Sequence, residues 1–160
     1  MTKFGRIKNF VKQIPDHCFL GESVTEETVC EIESQLGIRF PEEYRIFLKE
    51  WGGLTIAGSY YNYDGVRLFK GALKFIVLEH TQSCREQGLP STYFAFSSDE
   101  GDEYLCMDTS PASDSQVEIF EYFEGTFRAV WSSGFFDAIE KDINENVIPY
   151  LKSKGIDVEY

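Results

Sequence analysis

The eighteen residues from Leu36 to Gly53, Leu-Gly-Ile-Arg-Phe-Pro-Glu-Glu-Tyr-Arg-Ile-Phe-Leu-Lys-Glu-Trp-Gly-Gly, constrain the fold more tightly than any other stretch of the chain. Gly37 reads as the stop of one helix, because glycine takes the left-handed conformation after the last turn at little cost. Pro41 opens the next: its fixed φ suits a first turn, and its missing N–H would have had no partner there anyway. Glu42 and Glu43 lie in that first turn, where the helix dipole favours negative charge. Tyr44, Phe47, Leu48 and Trp51 follow at i, i+3, i+4 and i+7, an apolar stripe on one face. Gly52-Gly53 then ends the helix. The spacing predicts a helix, a tight corner and a second helix committed to a core. It marks structure rather than a place where a ligand binds.

Other segments can be placed around this pair. Phe4, Ile7, Phe10, Val11 and Ile14 predict a first amphipathic helix stopped by Pro15, and Val24 to Gly37 the helix before the corner. Leu54-Thr55-Ile56, Tyr60 to Tyr63 and Val66 to Phe69 are short β-prone runs separated by glycines, which reads as strands joined by turns. Leu73 to Gln87 fits either a strand followed by a helix or a single helix. Tyr93 to Phe96 and Tyr104 to Met107 flank a turn-rich cluster, Ser97 to Asp102. Gln116 to Phe123 and Thr126 to Trp131, joined around Glu124-Gly125, predict a hairpin. Phe135, Ile139 and Ile143 restore helical spacing, continued by Val147, Ile148 and Leu151. The order predicts one α+β domain over residues 1–160, an antiparallel sheet of about five to six strands in mid-chain packed with N-terminal and C-terminal helices.

Composition narrows the function classes. With 42% hydrophobic and 16% aromatic residues in 160, the chain can bury a real core. No apolar run approaches the ~20 residues of a membrane helix, and no apolar signal core follows the basic start, so a cytoplasmic protein with no membrane contact is expected. Cys18, Cys30, Cys84 and Cys106 are scattered without CxxC spacing, which suits reduced thiols better than a metal ribbon. The net charge is −12. Lys3, Arg6, Lys8 and Lys12 precede the first acid, Asp16, leaving eleven bases against all 27 acids in the remainder. From Glu86 to Phe127 there is no base at all. Nucleic acid is therefore not an expected direct partner, since binding it needs cations on the phosphates.

Catalytic chemistry finds little support. His17 has no neighbour to activate, and His80 with Cys84 makes a single i, i+4 pair without a second pair to complete a metal set. There is no Gly-x-Ser-x-Gly elbow and no glycine loop for phosphates. No catalytic residue, metal or cofactor is expected. The acidic cluster Asp99, Glu100, Asp102 and Glu103 lacks the frame and closing glutamate of a calcium loop. It reads either as a solvated turn or as a surface displayed to a basic protein, continued by Glu118, Glu121 and Glu124. Tyr60 to Tyr63 adds Tyr61 and Tyr63 as candidate contacts, because tyrosine is enriched at interfaces; two-sided burial is the alternative. Phe40, Tyr44, Phe47, Trp51, Phe94, Phe96, Phe120, Phe127 and Trp131 mostly have core spacing.

The order of these motifs resembles the SUKH superfamily of Smi/Knr-type proteins. The similarity runs from about Ser23 to Ile143. It includes the Val29, Ile32, Leu36 helix, Gly37-Ile38-Arg39-Phe40-Pro41 with Tyr44, Phe47-Leu48 and Trp51-Gly52-Gly53, the Tyr93–Phe96 and Asp99–Asp108 hairpin, Val117–Phe120 and Phe135–Ile139. Bacterial members are widely immunity proteins made beside a polymorphic toxin, so the resemblance implies a non-enzymatic antitoxin. Its partner would be a cognate toxin, most naturally a nuclease domain, whose basic cleft an acidic surface complements. Fungal relatives imply the alternative, a regulatory scaffold of cell-wall assembly. The sequence leaves homodimerisation open.

Overall fold

The computed structural model describes residues 1–160. Helix α1 (Lys3–Gln13) is capped by Thr2, whose hydroxyl accepts the Gly5 N–H, and buries Ile7, Phe10 and Val11. A single 3₁₀ turn (Pro15–His17) leads into strand β1 (Cys18–Leu20). Helix α2 (Glu26–Leu36) starts on the Thr25 side chain and stops at Gly37, left-handed at φ 69°. Helix α3 (Glu42–Glu50) follows Pro41 and turns Tyr44, Phe47 and Leu48 fully inward. Trp51 is 8% exposed and meets the rings of Phe4 and Phe47. Gly52 stands at φ 70°, and a β-carbon there would run into the backbone of Glu22. The glycine pair is thus a close crossing of two chain segments.

Strands β2 (Leu54–Ile56), β3 (Asn62–Tyr63), β6 (Tyr93–Ser98), β7 (Glu103–Asp108), β8 (Val117–Glu121) and β9 (Thr126–Ser132) join β1 in one sheet of order β1-β2-β3-β6-β7-β8-β9. Every pairing is antiparallel. A separate hairpin, β4 (Val66–Phe69) and β5 (Ala72–Phe75), leads into helix α4 (Ile76–Glu86), so the ambiguous stretch is a strand and then a helix. Helix α5 (Phe135–Asp142), a π turn (Ile143–Val147) and helix α6 (Ile148–Ser153) close the chain. The fold is α+β as the sequence predicts. The sheet gains β1, three residues after Pro15 with no alternation long enough to signal a strand.

Both faces of the sheet are covered. Phe94, Phe96, Leu105, Met107, Val117 and Ile119 point into the main core with α1, α3 and α5. The intervening Ala95, Tyr104, Cys106 and Phe120 point the other way, into a smaller cluster with Cys84 and Leu89. This is the period of two that a strand imposes. Between Ala95 and Ser97 the β6–β7 register slips, and Thr81 of α4 accepts the Ala95 N–H at 3.0 Å. Of the nine aromatics assigned to the core, Phe127 is 36% exposed and Trp131 half-buried, both on the edge strand β9.

Candidate functional site

Three acidic side chains stand free at one end of the sheet because two strand-to-strand turns emerge there together. Between β6 and β7, Asp99 closes the first: its N–H donates to the Glu103 carbonyl and its Oδ1 accepts the Glu103 N–H at 2.7 Å. Glu100 and Gly101 both take positive φ, 75° and 104°. Between β8 and β9, Gly125 at φ 68° donates its N–H to Glu121. The Tyr122 N–H reaches the Asp102 carbonyl and ties the turns together. Register places Glu103 opposite Glu121, and Glu121 opposite Thr126. Glu100, Asp102 and Glu124 are exposed, whereas Asp99, Glu103 and Glu121 are half-buried.

Two shallow hollows flank this tip and share Asp102. One, about 350 Å³, is lined by Ser59, Tyr60, Asp99, Glu100 and Asp102. The other, about 220 Å³, is lined by Asp102, Glu103, Glu121, Phe123 and Glu124. Each carries one exposed ring, Tyr60 at 54% and Phe123 at 74%. One cation belongs to the tip: Arg128 contacts Glu103 at 2.7 Å and Glu121 at 3.1 Å. Partial burial, then Glu103 and Asp99, hold the Tyr60 phenol above its ordinary pKa. The tip therefore offers carboxylates, neutral phenol and apolar rings.

The sequence candidates divide. Asp99, Glu100, Asp102, Glu103, Glu121 and Glu124 come together. Glu118 does not: it lies mid-strand, half-buried, accepting the Tyr93 hydroxyl at 2.7 Å. Tyr61 and Tyr63 are corrected more sharply, since both are 1% exposed and belong to the core. Tyr61 donates to Glu103 at 3.0 Å and packs edge-on to Trp131. Tyr63 donates to Asp142 at 2.9 Å. Tyr61 is held by Trp131 and Glu103 of the sheet and Tyr63 by Phe135, Ala138 and Asp142 of α5, so the ring left outside is Tyr60. Phe123 and Arg128 were not candidates. The signal for Phe123 was its place two residues before the turn glycine, where strand alternation no longer buries a side chain.

Other ionisable groups are built into the interior. Arg45 of α3 pairs with Glu33 and Glu26 of α2, and Glu33 also accepts the Phe40 N–H at 2.6 Å, locking the corner. Asp142, 1% exposed, accepts from the Ser59 hydroxyl, the Tyr60 N–H, the Tyr63 hydroxyl and the Asn146 amide. Asp64, 5% exposed, accepts from Arg67 at 3.0 Å and lies 3.8 Å from His80 Nδ1. Burial pushes the Asp64 carboxyl up to about 6 against the pull of Arg67, and lowers His80. His80 thus faces Asp64 and the Tyr104 ring, while Cys84 one turn on sits in the small cluster under α4. No helix is long and apolar enough to cross a membrane.

Compared with known families, residues 23–141 match the model of the SMI1/KNR4 family (SUKH-1). The match begins before α2 and ends within α5, so it spans the corner, the sheet from β2 to β9 and the acidic tip. No curated protein matches the chain.

Proposed function

Because the chain belongs to the SMI1/KNR4 family (SUKH-1), which includes immunity proteins, we propose that it is a cytoplasmic immunity protein, non-enzymatic, that neutralises a cognate toxin by binding it. The observation that carries this reading is the acidic tip. Glu100, Asp102 and Glu124 surround two hollows with Tyr60 and Phe123 exposed beside them. Aromatics anchor interfaces when they enter a partner's pocket, and surrounding carboxylates choose a cationic partner. A nuclease domain fits, because its cleft must be basic to hold phosphates. The inhibitor would occupy that cleft one-to-one, excluding nucleic acid by bulk and charge.

The test uses the toxin domain encoded beside this gene and the triple variant Glu100→Lys, Asp102→Lys, Glu124→Lys. Asp99 and Glu103 are left intact because they close the turn and hold Arg128 and Tyr61. Long-range attraction sets the encounter rate, and steered association reaches ~10⁸–10⁹ M⁻¹s⁻¹ at low salt. The variant should associate more slowly at low salt, with the deficit shrinking at high salt as screening sets in. Undiminished association at low salt together with intact protection of cells would move the interface elsewhere. Failure of the wild-type protein to bind any neighbouring gene product would remove the antitoxin reading altogether.

A further inference from the structure

Strand β1 is the outermost strand on its side of the sheet and pairs only with β2. The Ala57 N–H donates to the His17 carbonyl, and the Gly21 N–H to that of Gly53. Phe19 stands opposite Thr55 between these two pairs. Antiparallel alternation therefore turns the N–H and C=O groups of Cys18 and Leu20 outward, away from β2, and no bond outside the regular elements takes them up. Chains usually blunt such an edge with charge, proline or a bulge. The other edge, β9, has two register breaks against β8, whereas β1 pairs regularly with β2.

This edge is also apolar. Phe19 is 73% and Leu20 51% exposed, and Leu68 and Leu73, facing each other on the β4–β5 hairpin, are 57% and 47% exposed. A cleft of about 210 Å³ lies between edge and hairpin, bounded by Phe19, Leu20, Glu22, Arg67 and Leu68. Charge around it is nearly balanced. Arg67 contacts Asp64 at 3.0 Å and Lys74 lies 3.7 Å from Glu79; Lys70, Asp16 and Glu22 complete the set. Three cations against four carboxylates leave −1 here, in a molecule of net charge −12.

We propose that β1 is the interface of a homodimer, in which two copies join edge to edge about a two-fold axis at Phe19 and continue one sheet across both protomers. A two-fold interface must be self-complementary, and one register meets that demand. With Phe19 facing the partner's Phe19, Cys18 of each copy exchanges both main-chain bonds with Leu20 of the other, so every outward group of the strand is paired. An axis at Cys18 would instead call on Asp16, which sits in the 3₁₀ turn. An axis at Leu20 would call on the Glu22 N–H, already given to the Val66 carbonyl. In the Phe19 register the two rings form the closer kind of cross-strand pair and bury one another. Charge selects a second copy over a strongly charged partner. Elsewhere two molecules of net charge −12 repel, and this near-neutral apolar edge is where they meet at least cost. Half-exposed side chains of this kind make a patch of about 300–600 Å². Two facing patches stay below the ~1,200 Å² of a standard interface, so the dimer is weak and concentration-dependent. The surface is separate from the acidic tip, and the inference stands without the toxin reading.

Analytical ultracentrifugation of the full chain tests this. The 18.4 kDa monomer should give way to a dimer between ~10 µM and ~1 mM, the range of weak specific association. Hydrogen exchange at the Cys18 and Leu20 amides should slow over the same range. Added salt should strengthen the dimer, because it screens the repulsion between two acidic molecules. Phe19→Lys sets like charges directly opposite one another, and Leu20→Pro removes only an outward N–H, which an edge strand tolerates. Each, checked for an unchanged melting curve, should weaken self-association at least tenfold. In a Cys30→Ser background, Phe19→Cys should give a disulfide-linked dimer on mild oxidation, since Cα atoms of such a facing pair stand about 4.5 Å apart, within disulfide reach. Leu73→Cys, exposed but off the axis, should cross-link far more slowly. A wild-type protein still monomeric at ~1 mM would overturn the proposal. So would a dimer undiminished in both Phe19→Lys and Leu20→Pro, or equal cross-linking by the two cysteine variants. Co-sedimentation of the monomer with phosphatidylcholine vesicles, lost in Phe19→Lys, would give the edge to a membrane and likewise overturn it.

Discussion

Two sets of carboxylates divide this acidic chain. Glu33, Asp64 and Asp142 lie inside, each held by named donors. Glu100, Asp102 and Glu124 stand outside at the tip. An interior carboxylate has lost water and must be repaid by hydrogen bonds and cations. A tip carboxylate keeps its water, contributes little to folding and is free to act at a distance. The same residue type therefore fixes the corner of two helices in one place and advertises charge in another. Substitutions should separate the two sets.

The largest effect is expected at the corner. Arg45→Met leaves Glu33 charged, 7% exposed and without its guanidinium. Breaking one side of a buried pair costs about 3–5 kcal/mol. Adding Glu33→Gln should recover most of that loss, because the amide oxygen still accepts from Phe40 N–H and no charge is stranded. Urea midpoints of the single and double variants measure it; equal midpoints would show that charge isolation is not the cause. Asp142→Ala comes next. It removes the acceptor shared by Ser59, Tyr60, Tyr63 and Asn146, for about 2–3 kcal/mol. The loss should be accompanied by loosening of the Ser59–Tyr63 segment in hydrogen exchange.

Asp64 should break the pattern in sign. Its folded pKa is raised from 3.8 to about 6, so between those values the folded state holds the proton more firmly than the unfolded state. The carboxyl favours folding fully below 3.8, and that contribution is lost as pH rises through about 6. Asp64→Asn should therefore stabilise the protein at pH 8, by about 1–2 kcal/mol, less than the whole linkage because asparagine is a weaker partner for Arg67. The advantage should vanish near pH 4. Paired unfolding curves at the two pH values decide it, and an advantage constant with pH would mean that ionisation of Asp64 is irrelevant to folding.

How much of this was legible in the sequence follows from the same division. Helix stops, apolar stripes and turns are written locally, so Gly37, Pro41 and the Tyr44–Trp51 stripe could be read directly, as could the two turns that build the tip. Burial of Glu33, Asp64 and Asp142 depends on partners 12, 3 and up to 83 residues away, and a charge count treats them like any other acids. Tyr60 to Tyr63 was undecidable for a related reason. Its strand has only two residues, Asn62 and Tyr63, so the inward turn of Tyr61 is set by Trp131 and Glu103 on distant strands. Strand β1 was hidden because three residues carry no pattern.

The smallest effect on stability should come from the tip, and there it is the contrast between two measurements that matters. Glu100, Asp102 and Glu124 are exposed, and none of the ion pairs in the structure uses their carboxylates. Substituting all three with lysine changes the charge by six units, yet each substitution should alter unfolding by no more than about 0.5 kcal/mol, the usual range for surface changes. Glu100 adds a control within the set, because it already occupies φ 75°, a conformation that only glycine adopts freely. Glu100→Gly should therefore raise the unfolding midpoint slightly while removing one charge, whereas Glu100→Lys reverses the charge, a change of two units, without that relief. If both slow association with a basic partner, the lysine variant more than the glycine variant, charge is what the tip contributes. If only the glycine variant does, the rigidity of the turn matters more than its carboxylates, and the division between inner and outer acids fails at the place where it was expected to be cleanest.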